Sequence, residues 1–288
     1  MLRVLLIGCG DVALRTAALL RGRARLYGVI RRADEAARLR AAGIVPIVAD
    51  LDRGASLARL RTAPFGVLHF APPPGDGRDD PRTRHLIAAL AQARIIPERF
   101  VYISTSGVYG DCAGARVAET RPRGAQSPRA RRRSAAEAAL RVWAGRNGVA
   151  LAVLRVPGIY AESRLPVERV RQGTPVLLAE DDVYTNHIHA VDLAAACVRG
   201  LEPDAPAGLY HASDDTEMRM GDWLDLVADH AGLARPPRLA RAQFPARNDF
   251  MQESRRLVNR RLKEVLGLRL RYPTVQEGLR HEHALGVD

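Results

Sequence analysis

The sequence predicts an α/β protein: a doubly wound parallel sheet with a smaller C-terminal α/β lobe. Three observations lead there. Short continuous runs of β-branched and leucine residues alternate with longer alanine-, leucine- and arginine-rich stretches over the first 155 residues. That is the pattern of strands covered on both faces by helices. A glycine turn joins the first such run to the first helical stretch, and beyond residue 156 the rhythm loosens, with prolines at 157, 166, 175, 203 and 206.

In chain order, strands are predicted over Leu2–Ile7, Leu26–Ile30, Ile44–Ala49, Gly66–Phe70, Phe100–Ser104 and Ala150–Arg155. Helical patterns fall near Val12–Arg21, Asp34–Ala42, Ser56–Leu60, Arg82–Ala93 and Arg131–Arg146. Such strand–helix repetition argues a parallel sheet. Residues 1–155 are expected to form the sheet domain, and 156–288 mainly the C-terminal lobe, with some segments returning to the sheet. No internal repeat is present.

The chain has 288 residues, 47% of them hydrophobic and 26% charged, which excludes a disordered polymer. Cys9, Cys112 and Cys197 lie far apart with no CxxC. That spacing offers no disulfide framework and no zinc site, and it fits a reducing compartment. The apolar start of MLRVLLIGCGD is too short for a signal peptide, and no run approaches the ~20 residues that cross a bilayer. A cytoplasmic protein with no membrane partner is the expectation.

Net charge is +12, and Lys263 is the sole lysine, so all but one of the 44 basic residues are arginine. Mechanisms that need an ε-amine have only Lys263 available, because a permanently charged guanidinium makes a poor proton shuttle. The basicity raises the question of nucleic acid, most sharply at Arg116–Arg133, with seven arginines and Glu119 as the one acid. Aromatic residues are only 5%, and neither a helix-turn-helix nor basic heptads appear. A solvated face or the rim of an anionic-substrate site is the expected role, with no nucleic-acid partner.

The glycine turn reads Gly8-Cys9-Gly10-Asp11-Val12-Ala13. A first glycine makes the tight turn, a second lets backbone approach a pyrophosphate, and a small third residue lets helix and strand pack closely. The helix start adds unpaired N–H groups. A dinucleotide site on these residues follows. The second strand then runs into Arg31-Arg32, and the first acids, Asp34 and Glu35, come later. A site selecting NAD would place an acid there, whereas two guanidiniums suit a 2′-phosphate. NADP(H) is therefore favoured, with NAD(H) as the alternative.

Later motifs extend the reading. They are Ser104-Thr105-Ser106-Gly107-Val108-Tyr109-Gly110, Leu154-Arg155-Val156-Pro157-Gly158-Ile159-Tyr160, Asn186-His187-Ile188-His189-Ala190-Val191-Asp192-Leu193-Ala194, and Leu266-Gly267 with Tyr272-Pro273 and Glu277-Gly278-Leu279. In this order the chain resembles the extended short-chain dehydrogenases/reductases, the NAD-dependent epimerase/dehydratase group. The resemblance implies a Rossmann-like domain of about seven parallel strands, a small substrate lobe, sugar-nucleotide-type substrates and compatibility with a homodimer. It places Asp50 and Leu51 beside adenine, and Ala71 and Pro72 along the dinucleotide crevice.

The family's chemistry needs a Ser/Thr, a Tyr and a Lys, the last two spaced YxxxK. Thr105 matches the Ser/Thr and is the candidate catalytic residue. The resemblance puts Arg129 at the Tyr position and Arg133 at the Lys position, where Arg133 could hold charge near the cofactor ribose. No tyrosine lies between Tyr109 and Tyr160, and no lysine precedes 263. Arginine cannot act as a phenol. This departure, with GCGD, STSGVYGD and an arginine-rich helix, resembles the YeeZ-like atypical members.

Tyr109, Tyr160 and Tyr184 are the phenols available to replace the lost acid/base. His187 and His189 share one side of an extended segment, but no third ligand follows at convincing spacing, so no metal is expected. Asp192 is expected at the start of a helix over Leu193–Arg199, and His281-Glu282-His283 as a solvated tail. Two functions remain open. One is an oxidoreductase or epimerase/dehydratase-type enzyme on a small anionic or sugar-nucleotide-like substrate. The other is a non-catalytic NAD(P)-binding protein that senses redox state or regulates a partner.

Overall fold

The computed structural model describes residues 2–60, 64–92, 96–244 and 253–284. Seven strands form one parallel sheet: β1 (Leu2–Ile7), β2 (Ala24–Ile30), β3 (Ile44–Val48), β4 (Gly66–His69), β5 (Arg99–Thr105), then Ala150–Val156 and Gly208–His211. Their spatial order is Gly208–His211, Ala150–Val156, β5, β4, β1, β2, β3. The direction of winding reverses between β1 and β4, the kind of point at which open α/β sheets place a ligand crevice outside the strands' carboxyl ends.

Apolar runs are continuous because both sheet faces are covered. Leu6, Val101, Ile103 and Leu154 pack on one side with Ala17, Leu20, Leu193 and Cys197. Their chain neighbours Leu5, Ile7, Phe100, Tyr102 and Val153 face the other side, against Leu86, Leu90, Leu140 and Trp143. The first layer holds α1 (Asp11–Leu20), α2 (Ala36–Ala41) and the helix Ala190–Leu201. The second holds α3 (Pro81–Gln92) and α4 (Pro128–Asn147).

Helix ends follow local chemistry. The Ser127 hydroxyl accepts from Ala130 N, Pro128 opens α4, and Gly148 at φ +66° ends it. Two expected helices differ. Asp34–Ala42 divides into a 3-10 turn, Ala33–Glu35, and α2. In place of Ser56–Leu60 stands a 3-10 segment, Gly54–Arg59, that buries only Leu57. There the Ser56 hydroxyl donates to the carbonyls of Asp50 and Arg53, competing with regular helix bonding.

A second core gathers Tyr160, Val176, Met218, Trp223, Val227 and Val275 from C-terminal segments. Short paired strands frame it, among them Gly158–Tyr160 parallel to His187–His189. The backbone of 281–283 continues the helix Val275–Ala284 instead of trailing as a tail, and the side chains of 281–284 lie outside the described residues. Among the described residues no helix is long and apolar enough to cross a membrane.

Candidate functional site

Gly8 leaves β1 at φ +86°, a conformation that L side chains rarely adopt. A Cβ there would stand 2.9 Å from Ala71 N, whose N–H donates to Ile7 O at 2.9 Å. Gly8 is thus the residue that lets the ends of β1 and β4 meet at the reversal point. Gly10 serves differently. A Cβ on it would meet nothing within 4 Å, and no side chain caps α1. The helix start therefore faces open space with donors ready for an anion, as a pyrophosphate requires. Ala13 is fully buried, which allows the close approach of α1 to the sheet. These residues fit a dinucleotide.

Cys9, between the glycines, is packed inward. Burial pushes its thiol up to about 12, so it is no nucleophile. Its carbonyl accepts from Arg38 Nη2 at 2.9 Å, which ties the turn to α2. Arg31 and Arg32 are exposed beyond β2, with Arg32 Nε 3.3 Å from Asp34 and 3.5 Å from Glu35. Arg38 was not singled out from the sequence. One arginine among so many in a helix carries no local signal, and only the fold brings it to the turn.

Farther along the crevice, the Asp50 carboxylate accepts from Asp52 N at 3.0 Å, and the Leu51 carbonyl accepts from His85 Nδ1 at 2.8 Å. Arg82 holds Asp52 with two bonds of 2.7 Å and reaches Pro72 O at 3.0 Å. The hydrogen bonds and charge of Arg82 hold the Asp52 carboxyl below its ordinary value, and Arg31 adds to this at longer range. Asp50 and Pro72 are thus linked through Asp52 and Arg82 at the carboxyl edge of the sheet, and His85 holds Leu51 beside them.

Arg133 lies beneath this wall. It is 5% exposed, and its Nη1 donates to Ile103 O at 2.7 Å, Tyr102 Oη at 3.1 Å and Ala71 O at 3.4 Å. That nitrogen braces the strand ends from inside. Arg132, next to it, is equally buried. Its Nη1 donates to Gly77 O at 2.9 Å, and its Nε has no hydrogen-bond partner. Several other arginines of Arg116–Arg133 also have internal partners: Arg116 on Glu217, Arg123 on Ser134 O, Arg131 on Ala125 O.

Thr105 caps the 3-10 turn Ser106–Tyr109, its hydroxyl accepting from Gly107 N at 3.2 Å. It also lines a cleft of about 600 Å³ with Arg129, Arg132, Tyr184, Asn186 and Arg255. The one acid in that lining, Glu253, is bound by Arg255 at 2.8 Å. Partial burial, then repulsion from Arg133 and Arg132, lowers the pKa of Arg129 from its ordinary value. An anion in the cleft would relieve that repulsion. Asn186 and Arg255 were missed from the sequence because they reach Thr105 only through tertiary pairing.

Of the three phenols, Tyr184 alone lines this cleft; guanidiniums of Arg219 and Arg256 stand 4.2 and 4.6 Å from its ring centre. Tyr109 is buried, with its Oη 2.6 Å from His211 Nε2, and burial pushes it up to about 12. Tyr160 is buried and donates to Thr274 O. His187 is buried beside Trp223, and burial lowers it to about 3. His189 caps the helix Ala190–Leu201. Asp192 lies in the first turn of that helix, as expected, and accepts from the N–H groups of Arg271 and Tyr272, at 2.7 and 2.9 Å, which fastens the C-terminal segment.

Residues 13–210 match the model of the NAD dependent epimerase/dehydratase family. No curated protein matches the sequence. Among solved structures, a functionally unknown conserved protein from Silicibacter pomeroyi is 28% identical, with a TM-score of 0.80 and 99% of both chains covered. A putative NAD-dependent epimerase/dehydratase from Methylobacillus flagellatus is 26% identical, with a TM-score of 0.75 and 99% and 98% covered. The UDP-glucose 4-epimerase of Thermus thermophilus, solved with NAD, is 24% identical, with a TM-score of 0.78 and 99% and 100% covered.

Proposed function

This chain belongs to the NAD dependent epimerase/dehydratase family, and from that premise we propose an NADP(H)-binding enzyme of oxidoreductase or epimerase/dehydratase type that works without a tyrosine–lysine pair. One observation carries the reading: a phosphate turn open at Gly10 stands at the carboxyl end of β1, and two strands away in the same sheet the end of β5 brings Thr105 to a cleft lined by guanidiniums. The turn holds the dinucleotide pyrophosphate through backbone N–H groups of Asp11, Val12 and Ala13. Arg31 and Arg32 beyond β2, with Arg38 at the turn, are the guanidiniums available to a 2′-phosphate, which supports NADP(H) over NAD(H). A bound nicotinamide supplies hydride transfer.

Arg129, Arg132 and Arg255 give the cleft a positive balance, so its substrate is anionic: a phosphate, a carboxylate or a sugar nucleotide. Arg133 stands where the family resemblance puts the lysine, and it supports the crevice wall. Thr105 orients a substrate oxygen. Tyr184 is the phenol placed to exchange its proton.

A non-catalytic NAD(P)-binding role draws on the other face of the same observation, the arginines at both YxxxK positions. The test is a fluorescence titration with NADPH and NADH, followed by a screen of anionic sugar nucleotides for product formation by NMR, since an epimerase or dehydratase regenerates its cofactor in each turnover. Saturable binding with turnover supports the enzyme. Binding with no turnover on any of them favours the sensor, and no binding refutes both.

A further inference from the structure

Arg164 belongs to the C-terminal part of the chain, yet it reaches the phosphate turn. Its short 3-10 turn, Glu162–Arg164, follows the strand Gly158–Tyr160. The turn is closed by Arg164 N donating to Ala161 O at 2.8 Å, and it is held to the helix Met220–His230 by His230 Nε2 at 2.9 Å from Glu162. From this fixed base Arg164 Nη1 comes within 3.4 Å of Asp11 Oδ2, across 153 residues of sequence. Asp11 is the first residue of α1, immediately after Gly10, and its other oxygen accepts from Arg15 Nε at 3.0 Å.

This arrangement is odd for a structural ion pair. Both side chains remain about one-third exposed, at 36% and 35%, and the contact is long. Exposed pairs of that kind add little stability. The location is more telling. A carboxylate at an anion-binding helix start would repel a pyrophosphate, while two guanidiniums on one carboxylate leave a net positive charge. Asp11 directly follows Gly10, where a side chain would meet nothing within 4 Å.

We infer that Arg164 is a phosphate-binding residue of the dinucleotide site, resting on Asp11 in the free protein and transferring to the pyrophosphate when the dinucleotide binds. The inference rests on the dinucleotide reading above. Arg164 would supply the one charged contact that the backbone turn lacks, and it would join the C-terminal lobe to the cofactor. Charge-assisted hydrogen bonds from arginine to phosphate are directional and strong enough for the exchange.

Substitutions at its two partners break the same ion pair with opposite consequences. By fluorescence titration with NADH and NADPH, Arg164→Ala should weaken both about tenfold, and Arg164→Gln should do the same. Asp11→Asn, which keeps the backbone N–H of the turn, should raise affinity a few-fold, because it frees Arg164 and removes a repelling carboxylate. The salt dependence of binding should flatten in Arg164→Ala and persist in Asp11→Asn. Melting temperatures of the free variants report their folding. Unchanged affinity in both Arg164 variants would overturn the inference, and so would equal weakening by Arg164→Ala and Asp11→Asn, the mark of a purely structural link. Absence of saturable binding by the unmodified protein would instead overturn the dinucleotide reading, and this inference with it.

Discussion

Arg155 closes on Glu137 with two parallel hydrogen bonds, Nε to Oε1 at 3.1 Å and Nη2 to Oε2 at 2.7 Å, and neither side chain is more than 3% exposed. The Ser104 hydroxyl adds a third bond to Oε1 at 2.5 Å. Three elements meet at this carboxylate: β5, α4 and the strand Ala150–Val156. They do so directly behind Thr105, so the pair sets the position of the cleft's inner wall.

Replacing Glu137 by glutamine leaves a buried guanidinium without its counter-charge. Breaking such a pair from one side costs about 3–5 kcal/mol, far more than the intact pair contributes over an apolar substitute. Urea unfolding of Glu137→Gln should therefore show a much lower midpoint. The double variant Glu137→Leu with Arg155→Met should lose less than the single one. A single variant as stable as the parent would mean that water already reaches the pair.

The two glycines of the phosphate turn should separate folding from binding. At Gly8 an alanine meets both positive φ and the backbone of Ala71 at 2.9 Å, so Gly8→Ala should lower the melting temperature and abolish dinucleotide binding. At Gly10 φ is −80° and the space is open. Gly10→Ala should keep the melting temperature of the free protein and raise the dinucleotide Kd at least about tenfold, since its methyl fills the approach to the helix start. Parent-like affinity in Gly10→Ala would place the pyrophosphate elsewhere.

These residues also show how far the sequence could be read. The six expected strands of the sheet match within about two residues, because a strand buried on both faces is written as an uninterrupted apolar run. The turn at Gly8 was legible for the same local reason: its glycines, strand and helix are contiguous. Arg38 and Arg164 were not legible, since each becomes relevant only when a distant segment folds against the turn. Paired strands of two residues, such as Tyr184–Thr185 with Met218–Arg219, are too short to carry a period. Thr105 was legible from the motif that surrounds it, but the guanidiniums that share its cleft come from tertiary pairing.

Cofactor choice should depend more on Arg38 than on Arg32. Arg32 is engaged by Asp34 and Glu35; Arg38 also stands 3.5 Å from Glu35 but is tied in addition to the carbonyl of Cys9 in the turn itself. Arg38→Ala should weaken NADPH about tenfold and NADH much less, given the strength of charge-assisted bonds to phosphate. Arg31→Ala and Arg32→Ala should each produce a smaller selective loss. Equal losses for NADH and NADPH in all three variants would remove the 2′-phosphate assignment.

Acid should destabilise the fold through its buried imidazoles, and His187 isolates the effect. Burial lowers its pKa to about 3, below an unfolded value near 6.5. Between those values the unfolded chain binds a proton that the folded chain refuses. The contribution of His187 is thus fully present above pH 6.5 and is lost progressively as the pH falls below it. At pH 5 the loss is about 2 kcal/mol for one such histidine. His69, lowered to about 3, and His211, lowered to about 4, act in the same direction, while the raised carboxyl of Asp214 acts in the opposite one. Comparing the parent with His187→Leu cancels those shared terms. The stability of the variant, followed by urea unfolding from pH 7.5 to 5, should fall less steeply than that of the parent. Identical slopes would mean that His187 becomes protonated in the folded protein as readily as in the unfolded one.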